Sequence, residues 1–121
     1  CLIILDEFIK NFYPNKKQML DLANTGHITA TDLADYLVKN HSMSFRKAYE
    51  KTSVIVNLAE KKNKNLSQLS LEELKIIEPK LTNEVLTVFD LKNSVKSKKS
   101  YGGTSFENIK RMIMKYKKQN D

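Results

Sequence analysis

A chain of 121 residues can bury the modest core of one small domain and is too short for a large multidomain enzyme. Its 21 Lys and Arg residues against 14 Asp and Glu give a formal net charge of +7, which raises nucleic acid or an anionic membrane as partners. The single cysteine excludes an internal disulfide and a sulfur-rich metal cluster and fits a reducing compartment, with cytoplasm as the expectation.

The chain opens without Met on the apolar run Cys1-Leu2-Ile3-Ile4-Leu5, which reads as cut from a longer polypeptide. Asp6, Glu7 and Lys10 break the run, so it is too short for a membrane span and lacks the layout of a signal peptide. The chain reads as soluble. Apolar residues at Leu2, Leu5, Phe8, Ile9 and Phe12 predict a first helix ending near Phe12 or Tyr13, because Pro14 lacks the amide hydrogen a helix interior needs. Pro14 can open a second helix over 15–23, with Met19, Leu22 and Ala23 on one face and Gly26 as its stop. Thr29 followed by Asp32 reads as the amino-terminal cap of a third helix whose inward stripe is Ala30, Leu33, Ala34 and Leu37. Asn40 to Ser42 is its exit.

A fourth helix is expected over about 44–62, with Phe45, Ala48, Tyr49, Thr52, Ile55, Val56 and Ala59 as the buried stripe and Arg46–Glu50 as an exposed pair. Ser70-Leu71-Glu72-Glu73 is a capping-box signature opening a short helix that must end by Pro79. Thr82 can cap another short helix reaching Val88 or Phe89. Residues 90–101 show weak periodicity and many Ser and Lys, and predict a helical turn followed by a loop. The last helix is expected to start at Thr104 or Ser105, with Thr104 and Glu107 as a box and Ile109, Met112, Ile113 and Tyr116 inward, fraying beyond Lys117. No segment reads as a strand and no period of 20–50 residues repeats. The fold class is all-α, a small domain of packed helical hairpins.

Candidate chemistry is sparse. His27 and His41 are fourteen residues apart and form no paired-histidine metal motif, so both read as loop or helix-flank residues. Asp32 and Asp35 are three apart and could share a metal or a proton, but a cap role for Asp32 and plain exposure of Asp35 explain them better. Tyr101-Gly102-Gly103-Thr104 precedes a helix start, where free amides can hold an anion. Without the phosphate-loop lysine or a preceding strand, it reads as a tight turn needing positive backbone angles. Ser53, Ser70 and Ser94 compose no nucleophilic triad. Asn40-His41-Ser42 and Asn65-Leu66-Ser67 match glycosylation sequons, which mean nothing without a secretory signal. The lysine groups at 61–64, 96–99 and 110–118 fall mainly at helix ends and in loops, and the aromatics do not interleave with them as on a base-stacking surface.

Several separate strings, in order, carry a further signal. They are Ala30-Thr31-Asp32-Leu33-Ala34-Asp35-Tyr36-Leu37, then Phe45-Arg46 with Ala48, Leu69-Ser70-Leu71-Glu72-Glu73-Leu74, Ser94-Val95, and Ser100-Tyr101-Gly102-Gly103-Thr104. Together they resemble the carboxyl-terminal domain of argininosuccinate lyase, in the fumarase and aspartase superfamily. The likeness covers nearly the whole chain and departs at Tyr49, Lys98 and Phe106, where the family often has histidine, arginine and proline. The resemblance implies that residues 1–13 end a long central-bundle helix and that 14–121 form the small carboxyl-terminal domain. It further implies a homotetrameric parent that cleaves argininosuccinate to arginine and fumarate without metal or organic cofactor, removing a proton from the succinyl moiety and expelling the guanidinium group. The family's base is a serine on a mobile Gly-Ser-Ser-rich loop, assisted by a histidine, and neither motif occurs between Cys1 and Asp121. No catalytic, cofactor-binding or metal residue is therefore carried onto this chain. Its implied partners are the other domains and subunits of the same enzyme, with no nucleic acid and no membrane. The competing reading is a basic helical module that binds nucleic acid or protein.

Overall fold

A computed structural model describes residues 2–120, in which every regular element is helical. Cys1, the first residue of the opening apolar run, lies outside the described residues. The order is α1 (Leu2–Lys10), α2 (Lys16–Asn24), α3 (Ala30–His41), α4 (Phe45–Lys61), a 3-10 turn (Leu66–Gln68), α5 (Leu71–Lys75), α6 (Val85–Val88), α7 (Leu91–Ser97) and α8 (Phe106–Asn120). The all-α expectation holds. Among the described residues no helix is long and apolar enough to cross a membrane.

The centre is the α3–α4 hairpin. Only Ser42, Met43 and Ser44 join the two helices, so they must run antiparallel. Ser42 makes the reversal with a left-handed backbone at φ 51°, and the Ser44 hydroxyl accepts the Lys47 amide to cap α4. Leu33, Ala34 and Leu37 of α3 face Ala48, Thr52, Ile55 and Ala59 of α4, all buried. Ala34, Ala48 and Ala59 are small side chains at this contact, which leaves room for the two helices to pack closely.

The short elements after α4 close the hairpin. Leu66, Leu69, Leu74, Leu81, Val85 and Phe89 are buried in the same core. Each such side chain contributes about 1.5–3 kcal/mol by leaving water. The predicted box at Ser70 is present in full: the Glu73 amide donates to Ser70 Oγ at 3.3 Å and the Ser70 amide donates to Glu73 Oε2 at 2.8 Å.

Several expectations need correction. Pro14 lies outside α2, because Asn15 is the cap and accepts the Gln18 amide at 3.1 Å. Phe45 and Tyr49 are 64% and 62% exposed, with rings stacked 6.3 Å apart on the surface. At roughly 100° per residue Tyr49 sits about a quarter turn from the middle of the stripe formed by Ala48, Thr52, Ile55 and Ala59, and Phe45 lies at its edge on the first residue of the helix. Thr82 caps no helix with its side chain: its carbonyl accepts the Val85 amide in a turn, and α6 begins only at Val85. Residues 91–97 form a true helix, since Asp90 accepts the Lys92 amide and Leu91, Ser94 and Val95 make one half-buried face. The cap of α8 is Ser105, whose hydroxyl accepts the Asn108 amide, so the Thr104–Glu107 box does not form. The helix continues beyond Lys117 to Asn120.

The largest correction concerns direction. Ile109, Met112, Ile113 and Tyr116 in α8 were expected to point inward and are all substantially exposed, as are Met19 and Leu22 on the apolar face of α2 and every residue of α1. Their apolar spacing made these helices, but the hairpin core does not cover them.

Candidate functional site

The motif strings converge on one carboxylate. Asp32 sits in the first turn of α3, directly before the buried pair Leu33 and Ala34, and that register turns it toward α7. Ser94 Oγ donates to Asp32 Oδ2 at 2.5 Å, and Lys98 Nζ donates to Asp32 Oδ1 at 2.6 Å. Positions 62 and 66 residues apart thus meet at a single side chain. Burial alone pushes the Asp32 carboxyl up, but the Lys98 ammonium and the Ser94 hydroxyl more than reverse this and hold it below the usual carboxylate range. The same bond from Asp32 pushes the Lys98 ammonium up.

The cap reading of Asp32 and Thr29 is therefore corrected. Thr29 holds the N-cap position just before α3 and is buried, but its side chain makes no cap hydrogen bond. Its ψ of 6° departs from the extended backbone usual for a side-chain cap. Asp32 is instead committed to a long-range latch between α3 and α7.

The latch leads into the glycine turn. The Gly103 amide donates to the Ser100 carbonyl at 2.8 Å, and the Ser105 amide to the Lys98 carbonyl at 3.2 Å. Asn108, buried in the first turn of α8, donates from Nδ2 to the Ser100 carbonyl at 2.7 Å. Gly102 has φ 79°, a conformation that costs an L side chain strain. Gly103 is required for a different reason: a Cβ there would stand 2.3 Å from the Lys98 carbonyl oxygen and 2.9 Å from that of Ser100. The expected tight turn with a positive angle is present, and Thr104 lies exposed at its exit.

Not every motif residue joins this site. Ala30 is half-buried at the head of α3, and Thr31 and Asp35 are exposed beside the latch. Phe45 and Arg46 lie at the far end of the hairpin, roughly 14 Å along α3 from Asp32 by helix rise. Arg46 pairs there with Glu50 at 3.6 Å on the surface. Lys98 was not singled out from the sequence as a site residue. The signal for it was weak: a basic residue between the Ser94 and Ser100 strings, with no local acidic partner.

Two further carboxylates, Glu73 and Glu78, brace the scaffold through ion pairs. Glu73 receives Lys62 at 2.6 Å and Lys64 at 3.3 Å, joining the end of α4 to α5. The Lys62 ammonium, then the Ser70 amide and Lys64, pull its carboxyl down to about 2. Glu78 is buried and pairs with Lys51 at 2.7 Å, and that ammonium outweighs burial to keep the carboxyl below its ordinary range. His27 Nε2 lies 3.9 Å from Glu60, and the His41 ring packs 5.7 Å from Tyr36. Among the described residues no three His, Cys, Asp or Glu side chains group as metal ligands. A groove of about 250 Å³ beside the latch is bounded by Asp32, Asp35, Lys39, Asn93 and Lys98.

These features define a small all-α scaffold domain, braced by ion pairs, whose polar centre holds elements together. Comparisons with known proteins place it further. The family described as argininosuccinate lyase C-terminal matches residues 27–96. The chain is 72% identical over 117 residues to an argininosuccinate lyase of Pelagibacter ubique, covering 97% of this chain and 25% of that protein. It is 46% identical to an argininosuccinate lyase of Nitratiruptor, over 93% of this chain and 24% of that protein. A third, from Ehrlichia chaffeensis, is 44% identical over 90% of this chain and 23% of that protein. The chain belongs to the argininosuccinate lyase C-terminal family. It spans about a quarter of the length of the curated relatives it matches. Neither the fold nor these relatives support the alternative of a basic binding module.

Proposed function

We propose that this chain is the carboxyl-terminal domain of an argininosuccinate lyase, and that the whole enzyme cleaves argininosuccinate to arginine and fumarate in arginine biosynthesis. The observation that carries the reading is the 72% identity across nearly the entire chain to a protein of that name. In this reading the chain supplies no group to the reacting atoms. The proton on the succinyl moiety is taken by a serine, with a histidine assisting, on segments other than residues 1–121. The contribution of this domain is mechanical. The α3–α4 hairpin and the Asp32 latch hold α7 and the glycine turn as one body that flanks the active-site region and supports its closure.

Residues 1–13 are proposed to end a helix of the central bundle, with 14–121 as the domain proper. The exposure of Leu2, Leu5, Phe8, Ile9 and Phe12 supports this division, because a helix apolar around so much of its circumference belongs inside a bundle. A homotetramer in the cytoplasm completes the proposal.

The test is fumarate release from argininosuccinate. The 121-residue chain alone is expected to release none above buffer background, and the polypeptide that extends it toward the amino terminus is expected to turn over. Activity of the isolated chain would overturn the mechanical role, and an inactive extended polypeptide would overturn the enzyme assignment.

A further inference from the structure

The glycine turn is fixed by local contacts while its tip stands open to water. Three hydrogen bonds and a Gly103 with no room for a Cβ fix its path, yet Tyr101 at its tip is 97% exposed. The rigid turn fixes the backbone that carries this ring, so the backbone share of the ordering entropy is already lost before any partner arrives, while the side chain has still to be ordered. Below the ring, Tyr101, Asn108, Arg111, Met112, Lys115 and Tyr116 bound a cleft of about 170 Å³, the size of one large side chain. Its walls are apolar and aromatic. Arg111 and Lys115 lie on its rim, no acidic residue lines it, and neither cation makes an ion pair among the described residues. Ile109 and Ile113 extend the apolar face along α8, 43% and 50% exposed.

We propose that the turn at Ser100–Thr104 and the face of α8 beside it form a docking cleft for an acidic segment of the longer lyase polypeptide. One apolar side chain of that segment fills the cleft, and its neighbouring carboxylates meet Arg111 and Lys115. This rests on the reading of the chain as the terminal quarter of a lyase, since the relatives it matches carry about three quarters of their length elsewhere. Charge complementarity selects the occupant: at about 100° per residue Arg111 and Lys115 stand on the cleft side of α8 with Lys118 a turn further on and Glu107 as the one carboxylate of the helix, so an acidic segment meets opposite charge there and a basic one meets like charge. The Asp32 latch then has a consequence at a distance, because it sets where the turn and its tyrosine stand.

The experiment replaces Tyr101 by photoreactive benzoylphenylalanine in the extended polypeptide, followed by irradiation and peptide mapping. The expected result is a crosslink to an acidic segment preceding residue 1, lost when Arg111→Glu and Lys115→Glu are combined. A crosslink only to residues 1–121, in the same or another copy, overturns the proposal, and so does the absence of any crosslink. A second measurement uses the Arg111→Glu, Lys115→Glu pair without the photoprobe. It is expected to lower the melting temperature of the extended polypeptide and leave that of the 121-residue chain unchanged. An equal shift in both, or none in either, overturns it. Fumarate release by the unmodified enzyme tests the lyase reading separately, so the two can fail independently.

Discussion

Asp32→Asn is the sharpest test of the latch, because it keeps the shape of the side chain and removes its charge. Asp32 is 13% exposed and Lys98 45% exposed, so the two bonds weigh differently. A hydrogen bond to a charged group is worth about 1.5–3 kcal/mol, and the half-buried Ser94 hydroxyl makes one. The Lys98 pair is screened by solvent on its lysine side and adds only about 0.5 kcal/mol. Asparagine can still accept from Ser94, more weakly, so the expected loss is about 1.5 kcal/mol. Urea unfolding followed by circular dichroism should show a lower midpoint at unchanged slope. In a double-mutant cycle Asp32→Asn and Ser94→Ala should couple by about 1 kcal/mol. Amide exchange at Gly103 and Ser105 should accelerate first, because the Lys98 carbonyl holds the Ser105 amide next to the broken contact. A stability within about 0.3 kcal/mol of the parent, or additive single effects, would refute the latch.

Thr29→Val should change stability by less than about 0.5 kcal/mol, since the hydroxyl caps nothing; a loss of about 1 kcal/mol in the same unfolding assay would restore the cap reading. Gly103→Ala should open the turn, because the new Cβ meets backbone carbonyls that cannot rotate away; wild-type amide exchange at Ser105 would contradict that close approach. For Glu73 the folded carboxyl lies near 2 against an ordinary value of 4.5. A depressed carboxyl stabilises the fold above the unfolded value, and that contribution disappears as pH falls through the folded one. Glu73→Gln should therefore cost stability at neutral pH, with the difference from the parent shrinking between pH 4.5 and about 2, and a pH-independent difference would count against the ion pair. Finally, the exposed apolar stripe of α1 is unfavourable in water at about 25 cal/mol per Å², so the isolated chain should self-associate through it. Leu5→Glu combined with Ile9→Glu should yield a monomer that keeps α3 to α8, and sedimentation showing the unmodified chain monomeric at all concentrations would end that idea.

What could be read from the sequence followed from short-range periodicity. The buried faces of α3 and α4, the Ser70 box, the bend at Gly102 and the all-α class all depend on residues within about one or two turns of one another, which is the range over which helical spacing and capping act. The recognisable strings also marked the positions that matter, Asp32, Ser94 and the Ser100–Thr104 turn, without showing how they are joined. The partner of Asp32 lies more than sixty residues away. An acidic residue three positions after a threonine at a helix start satisfies the local cap pattern equally well, so only the packing of α7 against α3 could decide between the two. Direction was the other undecidable quantity. The spacing of Ile109, Met112, Ile113 and Tyr116 specifies a helix with one apolar face, but which surface covers a face depends on the space left by the other elements. Here the hairpin core is filled by Leu66, Leu69, Leu74, Leu81, Val85 and Phe89, so α1, α2 and α8 keep their apolar faces turned to water.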